Sequence, residues 1–215
     1  MEQQMDFEIV SDLEKQIIEE INKIGGHLLD TEIIALLRLA ESLPDNSRIL
    51  EIGSYRGKSA NVFGKSIKGT NTILYCLDIW KDYSTQPTGP LQSDELGHQI
   101  AQSDISVLND FIKNTDWFSE NIRVLKGSSQ EFSEILPENF FDLIFIDAAH
   151  DYENVCKDAA IAIKSLKPGG ILCGHDYHSG GTEVKKAVDE FIFEHPDVKS
   201  SAILPKTSIW LALFN

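Results

Sequence analysis

The 215-residue chain is long enough for one substantial core, and its 42% hydrophobic and 25% charged residues are ordinary for a globular protein. A formal net charge of −15 repels polyanions and argues against nucleic acid and anionic membranes as main partners. The three cysteines lack ligand spacing, the acidic start does not read as a signal peptide, and no apolar run reaches membrane-spanning length, so a reducing, cytoplasmic setting is expected.

Taken in chain order, residues 11–24 and 31–42 read as two amphipathic helices separated by Gly25-Gly26, with Asp30 or Thr31 as a cap for the second. They form an expected helical cap over residues 1–47, set against a domain over 48–215 in one compact unit. Strands follow at 48–53, 72–78, 122–126, 142–147 and 170–175, with helices at 57–68, 98–113, 151–166 and 181–194 between them. This alternation predicts an α/β fold with a mainly parallel sheet and helices on both faces. Residues 198–204 and 207–214 flank Pro205-Lys206 and read as a C-terminal antiparallel hairpin. The segment 79–97 carries aromatics, two prolines and two glycines; it is either a lid or a surface loop anchored by Trp80 and Tyr83.

The first strand runs directly into a glycine turn and a helix, Ile49-Leu-Glu-Ile-Gly-Ser-Tyr-Arg-Gly-Lys-Ser-Ala60. Glu51 ends the strand, and Gly53 and Gly57 leave room for a ligand against the backbone. A phosphate-cradling loop has the form Gly-x-x-x-x-Gly-Lys-Ser/Thr. Here Gly53 and Gly57 enclose one residue too few, and Ile52 stands where the first glycine belongs. The dinucleotide pattern Gly-x-Gly-x-x-Gly also fails, because Tyr55 replaces its second glycine. What remains is a nucleoside cofactor without phosphates, whose charged tail and ribose need a carboxylate and free amides. Asp78, at the tip of the second strand, can accept from both ribose hydroxyls or can serve as a turn or cap residue.

A second constellation lies further on. Phe141-Asp-Leu-Ile-Phe-Ile-Asp-Ala-Ala-His150 brings Asp147 and His150 to the end of the fourth strand, and Ile171-Leu-Cys-Gly-His-Asp176 brings His175 and Asp176 to the end of the fifth. In an open α/β sheet these tips share the ligand-binding edge. Asp147 and Asp176, with His175, could share one ion: carboxylates suit Mg²⁺ or Ca²⁺, and an added imidazole also admits Mn²⁺, Fe²⁺ or Zn²⁺. His175 could equally support the ligands from behind. His150 is the candidate general base, since a neutral imidazole is available near physiological pH; otherwise it caps the following helix or bonds Asp147.

Together these stretches resemble the class I S-adenosylmethionine-dependent methyltransferases. Glu51-Ile-Gly-Ser-Tyr-Arg-Gly-Lys-Ser59 is similar to the cofactor motif of the cation-dependent catechol and caffeoyl-CoA O-methyltransferases. Ile146-Asp-Ala-Ala-His-Asp-Tyr-Glu153, Leu166-Lys-Pro-Gly-Gly-Ile-Leu-Cys-Gly-His-Asp-Tyr177 and Gly181-Thr-Glu-Val-Lys-Lys-Ala-Val188 are closer to the methyltransferases of sugar, antibiotic and cell-surface biosynthesis. The resemblance implies a Rossmann-like domain in which Glu51, Gly53, Ser54, Tyr55, Gly57 and Ser59 surround the methionine portion of S-adenosyl-L-methionine and Asp78 and Ile79 meet its ribose side. Gly127, Ser128, Ser129 and Gln130 fall on the adenine side. Asp147 takes the position of a metal aspartate as well as lying beside the cofactor, and Asp176 matches the catechol type's metal asparagine. His175 replaces the adjoining aspartate, and His150 stands where that type has its catalytic lysine. The implied reaction is methylation of a hydroxyl on a small molecule, a sugar or a natural product, with Mg²⁺, Ca²⁺ or Mn²⁺ as the helping ion. N-methylation, a catalytically weak cofactor-binding scaffold and a sugar-modifying oxidoreductase stay as alternatives, and a homodimer is compatible with the family.

Overall fold

The computed structural model describes residues 11–80, 107–179 and 181–215. Parallel strands β1 (Arg48–Ile52), β2 (Ile73–Asp78), β3 (Ile122–Lys126), β4 (Phe141–Ile146) and β5 (Leu166–Gly174) alternate with helices, and β6 (Val198–Ile203) and β7 (Trp210–Phe214) follow. The sheet has seven strands in the order β3-β2-β1-β4-β5-β7-β6, with β7 antiparallel to both of its neighbours. From β1 the chain runs outward through β2 to β3, then crosses back over to β4, which pairs on the other side of β1, and continues outward to β5. That reversal of direction opens a crevice at the carboxyl ends of β1 and β4.

The apolar runs explain why the central strands are buried on both faces. Alternate residues of β1 and β4 point to opposite layers: Ile49, Leu143 and Phe145 join one core cluster, and Leu50, Ile52, Ile144 and Ile146 join the other. The first layer is filled by α1 (Asp12–Ile21), α2 (Asp30–Glu41), α3 (Lys58–Ile67) and α4 (Val107–Thr115). Ile33, Ile34 and Leu36 of α2 are fully buried there, and the Phe63 and Phe145 rings meet edge-on with centroids 5.8 Å apart. The second layer is filled by α6 (Tyr152–Ser165) and α7 (Gly181–Ala187). Each fully buried aliphatic or aromatic side chain contributes about 1.5–3 kcal/mol. The N-terminal pair is therefore part of the main core.

Several boundaries differ from the sequence reading. Helix α2 is capped by neither Asp30 nor Thr31; the carboxylate of Glu32 accepts from the Leu29 amide at 2.8 Å. Asp30 instead accepts from the Asn22 side chain, and the Thr31 hydroxyl donates to the Lys206 carbonyl. Helix α6 stops at Ser165, and β5 begins at Leu166 rather than 170, because Leu166 pairs with Phe141 before Lys167–Gly170 bulges out of the ladder. The bulge suits Pro168, which has no amide to donate. The helix expected over 181–194 is α7 followed by a π-turn at Val188–Ile192. A 3₁₀ segment (Asp116–Asn121) and the short helix α5 (Ser129–Phe132) were not anticipated. Most of the expected 79–97 loop and the first part of the 98–113 helix lie outside the described residues. Among the described residues, no helix is long and apolar enough to cross a membrane, and Cys76, Cys156 and Cys173 are unpaired.

Candidate functional site

Strand register assembles the site. Ile52 pairs with Ile146, and Ile146 with Gly174, so the residues that follow them, Gly53, Asp147 and His175, emerge side by side at the carboxyl edge. The Asp147 amide donates to the Ile52 carbonyl and the His175 amide to the Ile146 carbonyl, which carries the ladder past the strand ends. Three non-glycine residues along this edge, Tyr55, Trp80 and Asp176, have positive φ (46°, 37° and 65°). Such conformations cost energy and are held by their surroundings, and they gather where backbone is shaped around a ligand.

At the tip of β1, Glu51 is fully buried. Its Oε1 accepts from the Ser59 hydroxyl at 2.5 Å, whereas Oε2 has no partner among the described residues. The Ser54 hydroxyl is buried beside it, close enough to lower the Glu51 pKa but without a well-aligned hydrogen bond among the described residues. Burial pushes the Glu51 carboxyl up to about 7, and the negative charge of Asp147 acts in the same direction. A buried carboxylate oxygen and a hydroxyl left unbonded are costly in a folded protein. They fit an incoming cationic group with N–H donors.

Gly53 and Gly57 are also required by close approach of neighbouring protein. Both have positive φ, but the room at Gly53 is occupied by protein: a Cβ there would lie 2.6 Å from the Asp147 carbonyl carbon. At Gly57 it would lie 3.1 Å from Phe111 and Thr115. These glycines let strand tips and helices approach each other, and so shape the cradle indirectly. Gly53→Ala is expected to destabilise the fold by about 2–4 kcal/mol, combining left-handed strain with overpacking, as read from denaturant midpoints. The Walker-like pair is also absorbed structurally, since Lys58 donates to the Gly26 carbonyl and Ser59 to Glu51.

Asp78 ties two turns together. Its Oδ2 accepts from the Tyr55 amide and its Oδ1 from the Trp80 amide, both at 2.7 Å. Burial nevertheless raises its pKa. The amides of Ser54 and Ile79 also act on the carboxylate and lower its pKa against burial. Trp80 is buried, donates from Nε1 to the Tyr55 carbonyl and packs on Phe111. The adjoining Ile79 is 43% exposed, as a hydrophobic wall for a ligand would be.

On the far side of β2, the Gly127 amide donates to the Asp78 carbonyl, and the Gly127 backbone abuts the Phe132 ring. Ser128 caps α5 reciprocally with Glu131. The Ser129 hydroxyl donates to Asp158 of α6, joined by the Gln130 side chain at 3.3 Å. The side chains of Ser128, Ser129 and Gln130 are therefore engaged within the protein; what they offer to a ligand is the shape of the turn.

The acid–histidine cluster is tightly connected. His150 Nε2 lies 2.8 Å from Asp176 Oδ2, and His175 Nδ1 lies 3.2 Å from Asp176 Oδ1 and 3.9 Å from Asp147 Oδ1. The Ser179 hydroxyl also donates to Asp176. His150 is 56% exposed at its side chain, whereas His175 is almost wholly buried. His150 does not bond Asp147; its partner is Asp176, and it is Asp151 that caps α6. The Asp176 hydrogen bond raises the His150 pKa, against burial. Burial pushes Asp147 up to about 6, opposed by the neighbouring His175. Burial would also raise Asp176, but its bonds to His150 and His175 hold it far below the usual carboxylate range.

Sequence reasoning missed one member of the cluster. Glu32 of α2 is 1% exposed and places Oε2 at 2.9 Å from His175 Nε2, while its Oε1 accepts from the Ser208 amide. Burial would lower the His175 pKa, but hydrogen bonds to Asp176 and Glu32 and the charge of Asp147 carry it up to about 11. The local signal was a second acid, after Asp30, in the first turn of the helix, which is common for capping alone.

Donor atoms of Asp147, His175 and Asp176 all lie within 4.8 Å of one another. Donors held about 2.0–2.6 Å from a single ion are at most about 5 Å apart, so the three residues fit a divalent cation. Beneath them runs a recess lined by Ala148, Ala149, Val155, Val184 and Trp210.

Comparison with known proteins agrees with this geometry. The model of the family described as "Methyltransferase domain" matches residues 50–177. Among solved structures, the chain is similar to cofactor-bound Rv0187 from MTB, at 18% identity over 95% of this chain and 90% of that one, with a TM-score of 0.64. It is also similar to an O-methyltransferase from Bacillus cereus in complex with SAH (18% identity, 96% and 93% covered, TM-score 0.59). A third is the O-methyltransferase TomG from Streptomyces achromogenes, involved in tomaymycin synthesis and solved with SAM (16% identity, 96% and 91% covered, TM-score 0.58). At these identities the likeness shows the fold. Comparison with curated proteins gave no match.

Proposed function

Since the chain belongs to the methyltransferase-domain family, we propose that it transfers a methyl group from S-adenosylmethionine to a hydroxyl oxygen of a small-molecule acceptor, of the sugar or natural-product class. The observation that carries this reading is the His150–Asp176 pair at the same carboxyl edge of the sheet as the half-satisfied Glu51 carboxylate. When bound, S-adenosylmethionine supplies an electrophilic methyl on a cationic sulfur. Glu51 Oε2 and the Ser54 hydroxyl would receive its ammonium tail, and Asp78 would accept from the ribose hydroxyls. Names of similar proteins point the same way, being O-methyltransferases in complex with SAH and SAM.

His150 acts as general base. Asp176 holds Nε2, so the other ring nitrogen is the one turned to the acceptor; it takes the hydroxyl proton as the oxygen accepts the methyl group. Asp176 steadies the ring and favours the imidazolium that forms, as a carboxylate behind a catalytic histidine does. Asp147, His175 and Asp176 would hold a divalent cation, which would lower the hydroxyl pKa and fix its position. The protein otherwise contributes alignment. Two copies could associate as a homodimer, and the acceptor is the only other partner in this reading.

Calorimetry with S-adenosylmethionine and S-adenosylhomocysteine, followed by a transfer assay on a hydroxyl library, tests the assignment. Absence of binding to either form would overturn it. The same titration probes Glu51. Because its folded pKa of about 7 lies above the usual 4.5, its contribution to stability is present below pH 4.5 and is lost as pH rises through about 7. A cationic tail beside it restores the ionised form, so binding near pH 6.5 is expected to release a fraction of a proton. That release, measured in buffers of different ionisation enthalpy, should vanish in Glu51→Gln.

A further inference from the structure

We propose that Glu32 is a positioning residue for the cation site, setting the orientation of the His175 ring so that Nδ1 is offered between Asp147 and Asp176. This inference rests on the cation reading above. It is carried by the placement of Glu32 and not by acidity alone. Its carboxylate is 1% exposed, lies 2.9 Å from His175 Nε2, and is itself fixed from two directions by the Leu29 amide (2.8 Å) and the Ser208 amide (2.7 Å). The His175 main chain is held as well, since the Trp210 indole donates to its backbone carbonyl.

Nε2 lies 2.9 Å from Glu32 Oε2, at ion-pair distance but without hydrogen-bond alignment, and the other ring nitrogen lies 3.2 Å from Asp176 Oδ1 and 3.9 Å from Asp147 Oδ1. A carboxylate behind a metal-binding imidazole fixes its tautomer and strengthens it as a donor, and loss of such a partner costs about 10–100-fold in metal affinity. A nitrogen donor among carboxylates also shifts preference from Mg²⁺ and Ca²⁺ towards Mn²⁺ and its later neighbours. A helix before the sheet domain thus completes a site formed at the sheet edge, and the Ser208 contact extends the same carboxylate to the β6–β7 hairpin.

The test is Mn²⁺ affinity, read from the free-ion electron paramagnetic resonance signal, in the wild type, Glu32→Gln, His175→Gln, the double variant and Asp147→Asn. S-adenosylmethionine affinity serves as a control on the fold. Wild-type binding that disappears in Asp147→Asn establishes the cation site itself. The expected result is then a 10–100-fold weaker Mn²⁺ affinity in Glu32→Gln, unchanged cofactor affinity, and no further loss when Glu32→Gln is added to His175→Gln. Affinity equal to wild type in Glu32→Gln, or a loss that simply adds to that of His175→Gln, would overturn the role of Glu32 and leave the cation reading standing. No Mn²⁺ binding by the wild type would remove both. Should Glu32→Gln fail to fold, Glu32→Asp keeps the charge but withdraws it from Nε2, and it must weaken Mn²⁺ binding while retaining nitrogen coupling weaker than wild type.

Discussion

His150→Gln is expected to slow methyl transfer about 10²–10⁴-fold, the range for a lost general base, with S-adenosylmethionine affinity unchanged. His150 projects from the turn after β4, with more than half of its side chain exposed. Its one strong partner is Asp176, at 2.8 Å from Nε2. Glutamine can keep a hydrogen bond to that carboxylate but has no basic nitrogen to take a proton. Single-turnover transfer and cofactor titration on the same preparation separate the possibilities. A rate equal to wild type would remove His150 as the base and move the burden to the cation and to alignment. A parallel fall in cofactor affinity would make His150 a support for the edge. Asp176→Asn should reproduce part of the rate loss, because the ring would then lose both its orientation and its compensating charge.

The contrast between His150 and Glu32 shows which parts of such a site a sequence discloses. His150, Asp147, His175 and Asp176 each lie within a few residues of an apolar strand, so a local pattern placed them at one edge. Their pairing was not local: the bond of His150 to Asp176 rather than Asp147 depends on the positive φ of Asp176 after β5. Glu32 reaches His175 only because α2 packs on the sheet through Ile33, Ile34 and Leu36, and no periodicity conveys that. The fold was legible for the same reason as the edge residues. Buried parallel strands leave continuous apolar runs, and helices between them leave period-3.6 stripes. Boundaries failed where another force prevailed, as at Leu166, where ladder pairing with Phe141 extends β5 back across a bulge. The glycine turn was recognised for its location, but Gly53 and Gly57 are required by neighbouring protein atoms.

Asp78→Ala is expected to weaken S-adenosylmethionine binding by at least about 100-fold. A hydrogen bond to a charged group is worth about 1.5–3 kcal/mol, and loss of two to the ribose would amount to two or more decades. The same carboxylate accepts the Tyr55 and Trp80 amides, so the variant also loosens both turns around the cofactor site. That dual role makes alanine alone ambiguous, and Asp78→Asn resolves it. Asparagine keeps the shape but supplies one acceptor oxygen, so its NH₂ must face either the Tyr55 or the Trp80 amide, donor against donor. Thermal melting with and without cofactor distinguishes the two contributions. Saturation at about 100 times Kd stabilises a binding-competent protein by about 2.7 kcal/mol. If Asp78→Asn melts cooperatively without cofactor yet shows no cofactor-induced shift, the carboxylate is needed for recognition. If it melts early but keeps the full shift, Asp78 is a brace between β1 and β2, and the ribose must find its acceptor elsewhere.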